Sequence, residues 1–191
     1  MEKNFNTIFT TSYTEKPIKK TVVIIILESF GDENLRQGYT PFVDSLITES
    51  YYFKNGFANG KVSIDAVPST LSSIPSLLNN SLISTSYSLN EVYGLPKIMK
   101  NQGYDTSFFH GAFNGSQNFD QYCKVAGFNR YYGKDQYVGP EAFDGKWGIF
   151  DEEFMQFYST QLAAFKQPFF STICTISSHT PFSLPEKYKG K

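Results

Sequence analysis

The sequence predicts an α/β domain with a largely parallel central sheet and helices on both faces. Apolar runs alternate with amphipathic stretches along the chain, which indicates strands alternating with helices. The first run, residues 22–27, is continuously apolar, which is typical of a strand that a parallel sheet buries on both faces. Polar residues follow several of these runs, and open α/β sheets bind ligands beyond the carboxyl ends of their strands. We therefore expect a binding site at that edge of the sheet.

Strands are predicted where short β-branched or aromatic runs are bounded by polar or turn residues. These runs are residues 22–27, 51–58, 104–110 and 168–179. The first is followed by Glu28, and the last two end in His110 and His179, the only histidines of the chain. Residues 1–19 are polar and are interpreted as a lead-in arm to a domain formed by residues 20–191.

Helices are predicted where apolar residues recur at helical spacing after a capping residue or a proline. Thr40 and Pro41 open the first of them. The later helices are expected over residues 65–78, 95–99, 118–127 and 151–166. Asp65 is the best cap candidate for the helix at 65–78. The Gly- and Tyr-rich residues 129–147 lack periodicity, so they are predicted to form a surface excursion.

Composition excludes several classes of protein. The 191 residues are 40% hydrophobic and 18% charged, as in a single globular domain, and the net charge of −1 offers no basic field for nucleic acid. No run reaches the roughly 18–20 apolar residues of a membrane helix, and the amino terminus lacks the apolar region of a signal peptide. We expect a soluble chain, which could also be the excised domain of a membrane protein. Cys123 and Cys174 form no CxxC motif and are predicted to be small buried hydrophobes rather than a disulfide.

Glu28 and Ser63 are the first candidates for chemistry. A carboxylate at the end of a buried strand is costly unless it is paired or bound to a metal, so Glu28 either ligates a divalent cation or pairs with a lysine or a helix start. Ser63 follows the Asn59-Gly60-Lys61 turn at the mouth of a predicted helix. Backbone N–H groups and the helix dipole favour an anion there, and Lys61 could add positive charge for a phosphate. Ser63 is thus either a nucleophile or a simple N-cap.

The two histidines and Gln117 are the remaining candidates. His110 and His179 could hydrogen-bond anionic substrate oxygens or act as acid and base, or they could be structural histidines bonded to loop carbonyls. Gln117 belongs to a polar segment after His110 that either lines a pocket or forms solvated turns.

Taken together, these segments resemble the lipoteichoic acid synthase branch of the alkaline phosphatase and sulfatase superfamily. The resemblance covers nearly all of residues 20–185, in the order that the family has. The matching pieces are VVIIILESF, TPFVDSL, the glycine turn with Ser63, LPKIMKNQGYDTSFFHG, WGIFDEEFM and QPFFSTICTISSHTPF.

The resemblance implies an alkaline phosphatase-like fold and an extracytoplasmic domain attached to a bacterial membrane by segments outside this chain. It implies transfer of phosphoglycerol, or a related phospho-alcohol, from a lipid donor to a glycan or polymer through a covalent phospho-enzyme. Carried over by position, Glu28 is a metal ligand and Ser63 is a metal-bound nucleophile. His179 is then the phosphate contact and His110 part of the pocket wall. The cation implied is Mn²⁺ or Mg²⁺ rather than Ca²⁺ or Zn²⁺.

The sequence departs from this family in three ways. It has no Asp-His dipeptide, which supplies the remaining metal ligands on a later strand, so the resemblance implies the N-terminal portion of a catalytic domain with an incomplete sheet. Where the synthases carry Asp, Trp and Arg for the glycerol phosphate, this chain has Ala112, Gln117 and Phe119. Ser63 also lacks the C/S-x-P-x-R setting that formylglycine sulfatases need, because Ile64-Asp65-Ala66-Val67 follows it.

Several alternatives stay open on the sequence alone. Water in place of an alcohol acceptor would make the protein a phosphodiesterase. Loss of the Asp-His pair would leave a catalytically silent binding module. A domain that binds a nucleotide phosphate at the Ser63 helix start is a weaker interpretation, because the chain has neither GxGxxG nor GxxxxGK[ST]. An uncovered sheet edge would also favour dimerisation across that edge.

Overall fold

The computed structural model describes residues 18–190, and they form one parallel sheet with helices on both faces. The strands are β1 (Val22–Ile26), β2 (Asp105–His110), β3 (Arg130–Tyr132) and β4 (Phe169–Cys174). The helices are α1 (Pro41–Thr48), α2 (Ser63–Ser72), α3 (Leu95–Asn101), α4 (Phe119–Ala126) and α5 (Asp151–Ala163). The predicted arm at residues 1–19 lies almost wholly outside the described residues.

The four strands pair in the order β1-β4-β2-β3, and every pairing is parallel. Cys174 of the central strand β4 is in register with Ile26 on one side and His110 on the other. The carboxyl ends of β1, β4 and β2 therefore meet at one edge of the sheet, where the sequence predicts the site.

The core has one layer on each face of the sheet, because successive residues of a strand point to opposite faces. Phe108 packs with α2 and α4 on one face, where its ring lies 5.9 Å from that of Phe119. Phe109 packs with α5 on the other face and stacks on Tyr132 at 4.2 Å. Helices on both faces are therefore confirmed.

β1 differs from its prediction in one respect. Its side chains alternate between partly buried and exposed, and Val23 and Ile25 are 42% and 51% exposed. The reason is position: β1 is the edge strand of the described sheet, and no described helix covers that face of it. The expectation that residues 22–27 are buried on both faces is wrong for these residues.

Two other predicted segments also need correction. Residues 51–58 are a loop with a turn at Lys54 and Asn55, not a strand, and their aromatic side chains lack a sheet to pack on: Phe53 and Phe57 are 84% and 94% exposed. Residues 129–147 are not wholly an excursion, because they contain β3, whose Tyr131 and Tyr132 stack on β2 phenylalanines.

Helix α2 starts and ends earlier than its prediction of 65–78. It ends at Ser72, and Ser73 follows in the left-handed region with φ 54°. Pro68 lies inside the helix, where it cannot donate the bond that the carbonyl of Ile64 would accept. Ser81 Oγ donates to that carbonyl instead, at 3.1 Å, so the proline leaves no unpaired acceptor there.

The structure also bears on two predictions, one about the cysteines and one about membrane-spanning helices. Cys123 and Cys174 are both free and buried, as predicted. Between residues 18 and 190, none of the helices combines the length and hydrophobicity needed to cross a bilayer.

Candidate functional site

Glu28 is fixed at the junction of two strand ends. Its backbone N–H donates to Thr175 Oγ1 at 2.8 Å, and the N–H of Thr175 donates to the carbonyl of Ile26 at 3.0 Å. These two bonds join the residues that follow β1 and β4. The Glu28 carboxylate is thereby held at the carboxyl edge of the sheet, partly buried.

Ser63 donates its hydroxyl hydrogen to that carboxylate. The distance from Ser63 Oγ to Glu28 Oε2 is 2.5 Å, which is a short hydrogen bond. Ser29 Oγ donates to the other oxygen, Oε1, at 3.1 Å. The acid and the alcohol, 35 residues apart in sequence, are therefore in direct contact.

The start of α2 explains why Ser63 is available for this contact. Ser63 is the first residue of the helix, the N-cap is Val62, and no side chain caps the helix. The simple N-cap interpretation of Ser63 is therefore wrong, and so is that of Asp65, which accepts from Ser76 Oγ at 2.9 Å. Gly60 is required in the preceding turn because a Cβ there would lie 2.5 Å from Asp65 Cβ.

An open pocket of about 490 Å³ surrounds this contact. Five residues that the sequence singles out line it together: Glu28, Lys61, Ser63, Gln117 and His179. Apolar side chains complete the wall, among them those of Leu27, Phe30, Val62 and Ile64. The pocket thus combines a held hydroxyl, a lysine, an imidazole and an amide around one space.

His110 does not belong to this wall. It is 3% exposed, it is not among the lining residues, and its ring packs against that of Phe119 at 5.2 Å. Its Nδ1 lies 3.0 Å from the carbonyl of Cys174, so Nδ1 carries the hydrogen and Nε2 is a buried acceptor with no partner among the described residues. Burial lowers the pKa of His110, although the hydrogen bond to Cys174 and, less strongly, the nearby Glu28 oppose the shift. The structure therefore gives a neutral, buried imidazole where the sequence predicts a pocket-wall residue.

Gln117 reaches the pocket through an irregular turn. It has φ 51°, and Gly115 and Asn118 in the same turn also have positive φ. Its Oε1 is buried without a hydrogen-bond partner in the described part of the chain, so an acceptor is available beside the pocket. Ala112 and Phe119 are 1% and 0% exposed. Of the three positions that the sequence predicts to depart from the synthases, only Gln117 lines the pocket.

His179 lies in a loop and not at the end of a strand, because β4 stops at Cys174. Its Nδ1 lies 2.8 Å from the carbonyl of Thr180, and the ring of Trp147 packs on its imidazole with 4.4 Å between ring centres. This loop has no regular secondary structure, so its position depends on contacts from other segments.

Sequence reasoning missed the residues that hold this loop. Asp151 is interpreted from the sequence as a helix cap, but its two carboxylate oxygens accept from the N–H groups of Ile176 and Ser177, each at 2.8 Å. Its own N–H donates to Ser177 Oγ at 2.7 Å. Burial raises the pKa of Asp151, and the two N–H groups oppose the shift. The only signal in the sequence is the placement of an acid at a helix start, which fits ordinary capping equally well.

The donor set tests whether a metal fits this site. Glu28 and Ser63 supply oxygen atoms, which hard divalent cations such as Mg²⁺ and Mn²⁺ prefer. Within residues 18–190, no three His, Cys, Asp or Glu side chains come together as a group that could hold a metal ion. The described residues therefore offer two neighbouring oxygen donors, which would fit part of such a site without completing it.

Comparison with known proteins identifies the class of protein first. A protein of the alkaline phosphatase superfamily from Vibrio parahaemolyticus superposes with a TM-score of 0.80 and 25% identity, over 93% of this chain and 46% of that one. The lipoteichoic acid synthase LtaP from Listeria monocytogenes has a TM-score of 0.76 and 23% identity, over 88% and 43% of the two chains. The periplasmic domain of EptC from Escherichia coli, solved with zinc, has a TM-score of 0.63 and 17% identity, over 92% and 50%. The predicted alkaline phosphatase-like fold is confirmed.

The family follows from the sequence match. The Sulfatase family profile matches residues 20–191, so the chain belongs to the Sulfatase family, a family of enzymes. The lipoteichoic acid synthase-like protein YvgJ of Bacillus subtilis is 26% identical over 190 residues, which is 98% of this chain. The lipoteichoic acid synthase of Staphylococcus saprophyticus is 31% identical over 185 residues, 87% of this chain. The chain spans 29% and 27% of the lengths of these two relatives. The predicted resemblance to the N-terminal part of the synthase catalytic domain is confirmed.

Proposed function

We propose that this domain transfers a phospho-alcohol group, of the phosphoglycerol type, from a lipid donor to a cell-envelope glycan or polymer, with Ser63 as the nucleophile. The observation that carries the proposal is the 2.5 Å contact between Ser63 Oγ and Glu28 Oε2 inside an open pocket. Relatives named lipoteichoic acid synthase, one of them 31% identical, favour this substrate class.

The chain's own residues account for the first half of the reaction. Glu28 accepts the hydrogen bond of the Ser63 hydroxyl and so holds the Ser63 oxygen at the pocket wall. The first N–H groups of a helix have no partner within it, so the start of α2 offers donors and positive potential to a phosphate. Lys61 and His179, on the same wall, are proposed to contact its other oxygens.

The proposed transfer reaction has two steps, and in each of them one bond to phosphorus forms while another breaks. Ser63 Oγ forms a bond to phosphorus, the ester bond to the lipid alcohol breaks, and that alcohol leaves with the proton that Ser63 gives up. In the second step an acceptor alcohol attacks the phosphoseryl ester, and its proton returns to Ser63. Both transition states carry extra negative charge on the phosphoryl oxygens, which Lys61 and the start of α2 are placed to stabilise.

A divalent cation belongs to this proposal because its superfamily is metal-dependent and one structural neighbour was solved with zinc. Glu28 and Ser63 would hold it, and Mn²⁺ or Mg²⁺ fits their oxygen atoms best. When bound, such an ion supplies Lewis-acid stabilisation of negative charge and lowers the pKa of a coordinated hydroxyl. The remaining ligands are not assigned to residues of this chain.

The cellular setting is proposed from the same relatives. Lipoteichoic acid synthase is named for an envelope polymer, and the EptC domain is described as periplasmic. We place this domain outside the cytoplasmic membrane of a bacterium, anchored by segments that lie beyond these 191 residues.

One observation favours a second candidate, a binding module that keeps the fold without the chemistry. No group of three metal-binding side chains is found within residues 18–190. Such a module would bind the phosphate group in the same pocket and form no covalent intermediate. Hydrolysis, with water as the second acceptor, is distinguished from transfer only by the product.

Mass spectrometry of the natural gene product tests the proposal. After incubation with phosphatidylglycerol and Mn²⁺, we expect a phosphoglyceryl adduct on the peptide that carries Ser63. Ser63→Ala should abolish it, and Ser69→Ala, a change on the same helix whose hydroxyl donates to a backbone carbonyl, should retain it. An unmodified peptide under conditions in which product forms would refute the covalent mechanism. An unmodified peptide with binding but no product would favour the binding module.

A further inference from the structure

His179 can contact a phosphate only if its loop and its imidazole are fixed from outside. The loop between β4 and residue 185 contains turns but no helix or strand. Asp151 fixes the first part of it through the N–H groups of Ile176 and Ser177. These bonds hold the backbone two residues before His179, and they leave the orientation of its ring to be set by something else.

The carbonyl of Thr180 is the point where that orientation is set. Its oxygen accepts hydrogen bonds from His179 Nδ1, at 2.8 Å, and from the indole N–H of Trp147, at 2.9 Å. A carbonyl oxygen only accepts, so Nδ1 must carry a hydrogen in this contact. Nε2 is then the nitrogen left for the pocket that His179 lines.

The backbone around Trp147 is held by several hydrogen bonds, which makes this residue a suitable support. Asp144 Oδ1 accepts from three successive N–H groups, those of Lys146, Trp147 and Gly148, at 2.7–3.0 Å. Gly148 also bridges to Ala112, two residues after the end of β2. Trp147 is therefore tied to the same sheet edge that carries Glu28, and its indole contacts the His179 ring in a tilted arrangement, with 4.4 Å between ring centres.

We propose that Trp147 is a positioning residue for His179. The indole ring and its N–H hold the imidazole in one orientation, with Nδ1 bonded to Thr180 and Nε2 presented to the pocket, and Asp144 holds the indole. The part of this inference that concerns phosphate rests on the proposed function. The orientation itself is a property of the free protein and can be measured without any activity.

Proton NMR of the 191-residue chain provides the test, because the chain has only two histidines. His179→Gln assigns the ring resonances. The indole shifts the His179 ring protons by its ring current, so Trp147→Leu should move them while those of the buried His110 stay in place. Trp147→Phe keeps a ring but removes the N–H, so it should give an intermediate position. Tyr51→Leu removes an aromatic ring that is 96% exposed and serves as the matched control.

Titration with inorganic phosphate and with sn-glycerol 1-phosphate then connects orientation to binding. We expect either probe to shift the His179 resonances, and Trp147→Leu to weaken the apparent affinity about tenfold relative to Tyr51→Leu. The inference is overturned if the His179 resonances do not move in Trp147→Leu, or if they move and phosphate affinity is unchanged. If phosphate does not shift the His179 resonances in the unsubstituted protein, the proposed role of His179 in phosphate binding fails. The orientation of the His179 imidazole is then tested by the effect of Trp147→Leu on its resonances in the free protein.

Discussion

Replacing Asp151 by alanine should destabilise the fold through the loop that carries His179. The change removes both acceptors of the Ile176 and Ser177 N–H groups, each now bonded at 2.8 Å. Hydrogen bonds to a charged group contribute about 1.5–3 kcal/mol each, and the lower figure applies because burial also penalises this carboxylate. The expected loss is therefore about 3 kcal/mol in the free energy of unfolding, or roughly 6–12 °C in Tm for a chain of this size.

Thermal and urea unfolding followed by circular dichroism would measure this loss. Asp151→Asn keeps one carbonyl acceptor, so about half of the destabilisation should remain. Asp135→Ala is the control, because Asp135 is exposed and its carboxylate accepts no bond that the structure shows. If Asp151→Ala unfolds within about 1 kcal/mol of Asp135→Ala, the two N–H bonds do not anchor the loop.

Three further predictions follow from burial and from the sheet edge. Burial raises the pKa of Cys174 to about 12 and that of Cys123 well above its usual range, so both thiols should resist a disulfide reagent at pH 8 until urea unfolds the chain. Burial lowers the pKa of His110 in the folded state. As the pH falls below about 6.5, the His110 imidazole therefore gains a proton in the unfolded state before it does so in the folded state. The free energy of unfolding should therefore fall by up to about 1.4 kcal/mol per pH unit there, in His179→Gln but not in His110→Gln. Finally, Ile25→Lys should reduce any concentration-dependent association through β1 in sedimentation velocity, and a chain that stays monomeric at all concentrations would contradict the predicted dimer.

The buried strands could be predicted from the sequence because their signal is local. β4 is apolar or small at every position and wholly buried, and β2 is buried at every position after Asp105, as a central parallel strand requires. β1 is also continuously apolar, but it is the edge strand of the described sheet. Whether an apolar strand lies in the centre or at the edge depends on which strands pair with it. The YYFKNGFA segment has strand composition, but a segment becomes a strand only where a neighbour accepts its hydrogen bonds, and composition does not reveal that neighbour.

The candidate site likewise contains residues that could be predicted from the sequence and residues that could not. Glu28 could be placed because a carboxylate directly after a buried strand must lie at the carboxyl edge of the sheet, and its partner Ser63 because a turn precedes a helix there. Asp144 and Asp151 could not be recognised, since each looks like an ordinary turn or cap acid. Asp151 acts on backbone N–H groups 25 and 26 residues away, and pairing over that distance is decided by the topology of the sheet.

The choice between a structural and a chemical role for Ser63 depends on where its hydroxyl hydrogen goes. A capping serine accepts from a backbone N–H of its own helix, and its oxygen is then committed to the backbone. In this domain Val62 is the cap residue, and Ser63 Oγ donates to a carboxylate in a pocket that also contains Lys61 and His179. Among residues 18–190 no hydrogen bond is donated to this oxygen, and its proton is in contact with an acceptor. Those are the two conditions that attack on a phosphodiester places on an alcohol, and capping requires neither of them.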